Sequence, residues 1–340
     1  MEPGMRDALE CVVSGQDLGT GEARGVMDLI MDGAVPPAVI GAFLAALRTK
    51  GETVDELTGM VLSMREHAVR IEVPDGAVDT CGTGGDAMST FNISTAAALV
   101  AAGAGCVVAK HGNRAASSRC GSADVLEALG VNVDLPPDAV LRCIDASGIG
   151  FLYAPSYHPA MRHVSTTRRE LGIRTAFNLL GPMANPARVK RQALGVPDPV
   201  VGMRMAEVLL RLGHERALVF TGDGGVDELT VNGPADCHDV RDGTVSTYDI
   251  DPAVLGLAPA PVSAVRGGDA AANASRIRSV LSGEHGAPRD TVMLNAAAAL
   301  VAAGIVDNMP DGVARSAEAI DSGAALASLE RLVTASQRAA

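Results

Sequence analysis

From residue 77 onward, short apolar runs alternate with helix-length segments, and that alternation leaves few folds open. AVDTC (77–81), CVVAK (106–110), VNVDL (131–135), IGFLYAP (149–155) and ERALVFTG (215–222) read as strands. Between them, STAAALVAAGAG, SADVLEALG and PPDAVLRCIDASG carry helical periodicity and stop at glycine. A strand that returns parallel to its predecessor needs a crossover of a dozen or more residues, which a helix supplies. The pattern therefore predicts βαβ units, a mostly parallel sheet and helices on its faces. VSTYDID, between Gly243 and Pro252, reads as a hairpin arm, which makes the sheet mixed. Residues 159–180 read as helical with a break at Gly172, and SRIRSVLSG and DTVMLNAAAALVAAG as the closing helices.

Residues 1–72 follow a different rhythm, with four short helices and no strand. Thr20 is placed to cap GEARGVMDLIMDG. Pro36-Pro37 opens the third helix and Gly51 ends it. Thr53 and Glu56 have capping-box spacing ahead of LTGMVLSMREHA. The expected division is a helical domain at 1–72 and an α/β domain at 73–340, with Val73-Pro74-Asp75-Gly76 marking the change.

Composition narrows the function. Apolar residues make up 47% of the 340 positions, enough for a large core, and the formal charge is −12. That balance opposes nucleic-acid binding, which wants a basic face. With no Trp, three Tyr and five Phe, base-stacking platforms are scarce. The apolar runs fall short of the ~20 residues of a membrane span, and the N-terminus has no signal-peptide pattern. The six cysteines show neither C-x-x-C nor zinc-ligand spacing, so they read as core thiols of a cytoplasmic protein.

Four stretches carry chemistry. In DTCGTGGDAMSTFNIST (79–95) a strand enters a glycine-rich turn and a helix begins near Ser94-Thr95. Glycines let backbone N–H groups approach a ligand, and a helix start favours an anion. A cap with a tight turn accounts for part of this; three glycines, an Asp and the run of hydroxyls favour a phosphate cradle. VVAKHGNRAASSRCGSADVLEALG (107–130) repeats strand, polar loop and helix start, adding Lys110, Arg114 and Arg119. Both loops should leave the carboxyl edge of the sheet, where α/β proteins bind ligands. In TGDGGVDELTVNG (221–233), Asp227 and Glu228 are adjacent carboxylates, either solvated or holding Mg²⁺ against substrate phosphates. HPAMRHVSTTRRELGIRTAFNLLGPMANPA (158–187) brings Arg162, Arg168, Arg169 and Arg174 with His158 and His163. A guanidinium there can grip a carboxylate or face solvent, and spacing does not choose.

GTGGD, FNISTA, KHGNRAASS with GSADVLEALG, RRELGIRTAFNLLGPMANP, DGGVDEL, GGDA (267–270) and VMLNAAAAL together resemble the anthranilate phosphoribosyltransferase family, over the chain to about residue 305. The resemblance implies a small helical domain joined by a hinge to a larger α/β domain with a mixed, mostly parallel central sheet. It also implies that part of 159–185 packs on the helical domain, and a homodimer through that domain. The implied reaction moves phosphoribose from phosphoribosyl pyrophosphate (PRPP) to the amine of anthranilate, with Mg²⁺.

The implied site follows position by position. Gly82, Gly85, Asp86, Thr90, Asn92, Ile93, Ser94 and Thr95 would hold PRPP, as would Lys110, His111, Gly112, Asn113, Arg114, Ala115, Ala116, Ser117, Ser118 and Ser122. Gly82, His111, Asn113, His158, Arg168 and Gly181 would meet anthranilate, and Ser94, Asp227 and Glu228 the metal. Lys110, Asp86, Ser94 and Arg168 would carry catalysis. The chain departs from the family pattern at Ala87, usually Gly, and at Ala272, often Glu. Alternatives are a paralogue using another aromatic amine, a nucleoside phosphorylase, and an inactive relative that binds nucleic acid.

Overall fold

The strands form one seven-stranded sheet, ordered β3-β2-β1-β4-β5-β6-β7. The structure is a computed structural model, and it describes residues 3–84, 88–115 and 119–338. The chain opens with α1 (Pro3–Val13), α2 (Thr20–Met31), α3 (Pro37–Lys50) and α4 (Val54–Glu66). Next come β1 (Val78–Gly82), α5 (Ile93–Gly103), β2 (Val108–Gly112), α6 (Ser122–Ala128), α7 (Pro137–Ser147) and β3 (Ile149–Tyr153). The excursion α8 (Ala154–Tyr157), α9 (Arg162–Leu171) and α10 (Phe177–Met183) leads into β4 (Arg191–Gly195), α11 (Pro199–Arg211) and β5 (Arg216–Thr221). The hairpin β6 (Ala235–Arg241) and β7 (Thr244–Ile250) precedes α12 (Ala270–Leu281), α13 (Ala287–Ala303), α14 (Met309–Asp321) and α15 (Ala324–Arg338).

β1 to β5 run parallel, while β6 and β7 pair antiparallel. The β6–β7 turn places Asp242 at φ 50° and Gly243 at φ 76°, the left-handed pair a two-residue hairpin requires. Side chains alternate between two cores, as strand geometry demands. Ala193, Leu218 and Phe220 point to a core shared with α5, α7, α13 and α15. Leu194, Ala217 and Val219 point to a second core formed with α1–α4, α10 and α11. The helical part is thus fused to one face of the sheet through α11, and α9 lies against α3.

Several expectations need correction. VNVDL is no strand: Val131, Val133 and Leu135 are buried in alternation, yet the segment pairs with no neighbour. Its Asn132 N–H donates to Ser336 on α15, and Pro136 then opens α7. Gly19, not Thr20, is the N-cap of α2; its N–H donates to Glu22, and Thr20 Oγ1 donates to Asp55 instead. The chain does not close with α13, since α14 and α15 follow it. The capping box of α4 forms as read, with Glu56 N–H on Thr53 Oγ1 and Thr53 N–H on Glu56 Oε2. All six cysteines are unpaired thiols.

Candidate active site

β1 lies between β2 and β4: the chain passes from β1 to β2 and β3 on one side, then crosses from β3 to β4 on the other. This is the switch point at which α/β sheets open a crevice past their strand ends. A cleft of about 330 Å³ lies there, between the β1–α5 loop, the β2–α6 loop and the loop after β5. Gly82, Thr90, Asn92, Ser94, Thr95, Lys110, His111, Gly112, Asn113, Arg114, Ala115 and Ser122 line it, together with Asp227 and Glu228.

Lys110 sits at its base, 1% exposed. Its ammonium donates to the Thr80 carbonyl and lies 3.4 Å from Ser94 Oγ. Beneath it, Asp79 is fully buried on β1 and accepts from His111 N–H at 3.1 Å and Asn185 Nδ2 at 2.9 Å. Burial raises its carboxyl to about 6, against the opposing pull of the Lys110 charge and these donors.

The carboxylates reach in from the loop after β5, and both are buried. Asp227 Oδ2 accepts from Gly84 N–H at 2.5 Å, and Glu228 Oε1 from Ser94 N–H at 3.1 Å. The second contact places a negative charge on the first turn of α5, where the helix dipole favours it. Close packing fixes this loop: a Cβ on Gly82 would stand 2.5 Å from Asp227 Oδ2, and one on Gly195 1.8 Å from the Asp227 carbonyl oxygen.

The His111 and His158 rings meet at a tilt of 51° with centroids 5.1 Å apart beside the cleft. Burial, then the charge of the neighbouring His158, drives His111 down to about 3; burial drives His158 to about 4. Both rings are therefore neutral at pH 7. Their Nε2 atoms, like Thr95 Oγ1, are buried without a hydrogen-bond partner. Buried polar atoms of this kind are the ones a ligand can satisfy.

Residues 74–326 match the model of the glycosyl transferase family, a/b domain, and residues 6–68 that of its helical bundle domain. The chain is 52% identical to the anthranilate phosphoribosyltransferase of Roseiflexus sp., covering 98% of each chain. It is 53% identical to that of Moorella thermoacetica, covering 95% of each. This chain belongs to the anthranilate phosphoribosyltransferase family. The crystal structure of the Thermus thermophilus family member superposes with a TM-score of 0.92 at 45% identity, over 97% of this chain and 99% of that one. The Saccharomyces cerevisiae protein in complex with PRPP and Mg gives 0.91 at 26% identity, over 99% of each.

Within that family fold, not every expected residue faces the cleft. Arg114 borders the cleft, but its guanidinium is committed to Glu127, bidentate at 2.5 and 2.6 Å, and to Tyr153 Oη at 3.0 Å. Ile93 is wholly buried in the core. Arg168 stacks over Phe177 at 5.2 Å, and burial lowers its pKa. Arg168, His158 and Gly181 are not on the cleft's lining; His158 and Gly181 adjoin His111, which is. Gly85, Asp86, Ala87, Ala116, Ser117 and Ser118 lie outside the described residues. Ala272 is exposed on the first turn of α12, its N–H bonded to Asp269, and is not among the residues lining the cleft.

Other residues of the site were not assigned to it in the sequence, Arg174 having been read only as one of four arginines able to grip a carboxylate. Arg174 and Asn178 line the cleft. Asn273 Nδ2 donates to Asn92 Oδ1 at 2.9 Å, and Asn92 Nδ2 to the Cys120 carbonyl at 3.1 Å, which fixes the Asn92 amide. Asn185 bridges Asp79 and the Ala109 carbonyl. The amide residues Asn178, Asn185 and Asn273 stand near motif glycines, the one sequence signal that could have pointed to them.

Proposed function

We propose that this chain transfers the 5-phosphoribosyl group of PRPP to the amine of anthranilate, releasing pyrophosphate. The observation that carries the reading is the convergence of Lys110, the N-terminus of α5 and the Asp227–Glu228 pair in one cleft. A neutral aromatic amine attacks C1 of the ribose, the C1–O bond to pyrophosphate breaks, and the nitrogen then loses a proton. Negative charge grows on the departing oxygens, so the chain's task is to stabilise that charge and align the amine. Lys110 and the donors of the β1–α5 and β2–α6 loops do the first. Asn113 and Arg168 do the second, with neutral His111 and His158 shaping the pocket for the aromatic ring.

Mg²⁺ fits the donors present. Among the described residues no three His, Cys, Asp or Glu side chains cluster as a metal cage. Mg²⁺ uses one or two carboxylates plus substrate phosphates and water, and the adjacent buried Asp227 and Glu228, with Ser94, offer that set. Bound there, the ion would neutralise pyrophosphate charge. A Saccharomyces cerevisiae family member in complex with 4-fluoroanthranilate supports an aromatic acceptor.

In the same reading the parts at 1–72, with some of 159–185, and at 73–340 close on each other about a hinge, excluding water. The protein works in the cytoplasm as a homodimer through its helical part. Among the described residues no helix is long and apolar enough to cross a membrane. The test is anthranilate fluorescence. A loss that needs protein, PRPP and Mg²⁺ together supports the assignment; no loss with folded, PRPP-binding protein moves it to another amine acceptor.

A further inference from the structure

We propose that Arg174 is a positioning residue, which holds the glycine-rich β1–α5 loop against Asp227 and ties that loop to α3 of the helical part. The proposal rests on the phosphoribosyl-transfer reading and extends it to a residue outside the substrate-holding set.

Gly84 is gripped from both sides. Its N–H donates to Asp227 Oδ2 at 2.5 Å, and its carbonyl accepts from the Arg174 guanidinium. Gly84 itself lies at φ +69°, a conformation that glycine adopts without strain, so its peptide groups can serve two partners at once. The preceding residue is anchored as well, with Thr83 N–H on the Gly195 carbonyl at 2.9 Å. Arg174 in turn has its own carbonyl held by the guanidinium of Arg48 near the end of α3. Thr175 N–H caps onto Asn178 Oδ1 at 3.0 Å, and both Arg174 and Asn178 line the cleft.

A continuous set of polar contacts therefore runs from α3 through Arg48, Arg174 and Gly84 to Asp227. Each hydrogen bond along it has one charged partner, which places it in the stronger class. Movement of α3 relative to the sheet pulls on residue 174 and, through its side chain, on the loop that presents N–H groups to the cleft. An arginine at the cleft wall could instead bind a phosphate directly, and the experiment below separates the two roles.

The experiment uses the whole protein and the variants Arg174→Ala, Arg174→Lys and Arg48→Ala. Amide hydrogen exchange is followed at 82–84 without ligand, and the KM values for PRPP and anthranilate are measured. Arg174→Ala should speed exchange at 82–84 in ligand-free protein and raise the PRPP KM by about tenfold, with the anthranilate KM within about twofold. A lysine side chain keeps one charged donor, so Arg174→Lys should recover part of both effects. Arg48→Ala should shift both in the same direction, and adding it to Arg174→Ala should give less than the sum of the two singles. Unchanged exchange at 82–84 in Arg174→Ala, or a KM rise shared equally by both substrates, overturns the proposal. If Arg174→Ala does not fold, Arg174→Lys and Arg48→Ala decide on the same exchange readout. A wild-type protein that transfers no phosphoribose refutes the functional reading, while exchange in ligand-free protein still judges the anchor.

Discussion

Gly195→Ala sets two effects of opposite sign against each other. Gly195 is the last residue of β4 and its φ is not positive, so alanine fits the backbone. Replacing a strand glycine by alanine usually gains about 0.5–1 kcal/mol through the unfolded chain. Here the added Cβ would stand 1.8 Å from the Asp227 carbonyl oxygen and 2.5 Å from its carbon. Restoring even a 3.0 Å contact moves the backbone at 227 by 3.0 − 1.8 = 1.2 Å. The obstacle is main chain, which cannot rotate aside, so the overpacking cost of about 1–3 kcal/mol applies and outweighs the gain. The net expectation is a loss of about 1–2 kcal/mol in urea unfolding with an unchanged m-value. The functional loss is larger, since misplacing a catalytic constellation by about 1 Å costs on the order of 100-fold. Urea titration and the fluorescence assay, run on the same preparation, measure both. A variant as stable as wild type with full turnover would refute the claim that Gly195 is required for the placement of the Asp227–Glu228 loop.

Three further outcomes follow from the geometry. Replacing Asp227 and Glu228 together by Ala should abolish turnover or leave it indifferent to Mg²⁺; an unchanged Mg²⁺ titration removes both from the metal site. Arg168→Ala should raise the anthranilate KM far more than that of PRPP, and an equal rise in both removes its acceptor role. His214 is buried, and burial, then the charge of Arg65, holds its ring at about 3, below its unfolded value. A depressed pKa gives stability that is full above about 6.5 and lost as pH falls toward the folded value. Between pH 6 and 4.5 wild type should therefore lose about 1.4 kcal/mol per pH unit relative to His214→Asn, and parallel stability curves would sink the assignment.

The sequence exposes the site more fully than the sheet. Glycines, hydroxyls and paired acids cluster because chemistry demands them, and Gly82, Ser94, Lys110, Asp227 and Glu228 meet in one cleft. β4 gave no such sign although it lies beside β1 at the middle of the sheet. RQALG has no β-branched residue, and its Gln192 is buried because the side chain bonds to the Pro182 carbonyl and Cys81 Sγ. VNVDL erred the other way. Its alternation is real, but the partner is α15 rather than a strand, and periodicity does not say what covers a buried face. For α11 a signal existed, since Asp198 accepts from the N–H groups of Val200 and Val201 and Pro199 stands at the first helical position. Arg174 was legible only as one of four candidate arginines and Asn273 not at all, because their roles come from contacts 90 and 181 residues away in the chain.

The second core has a consequence for the order in which the chain matures. Its apolar residues begin at Met5, yet they close against Leu194, Met205, Leu209 and Val219. Four helices are synthesised first and then wait for strands and a helix well over a hundred residues downstream. At about 5–20 residues per second, the delay is on the order of ten to thirty seconds. During that time Phe43, Leu44, Leu57 and Met60 have no complete partner surface, so the nascent N-terminus is a natural client for holding chaperones. The first 72 residues expressed alone would carry the same uncovered face and should aggregate rather than fold.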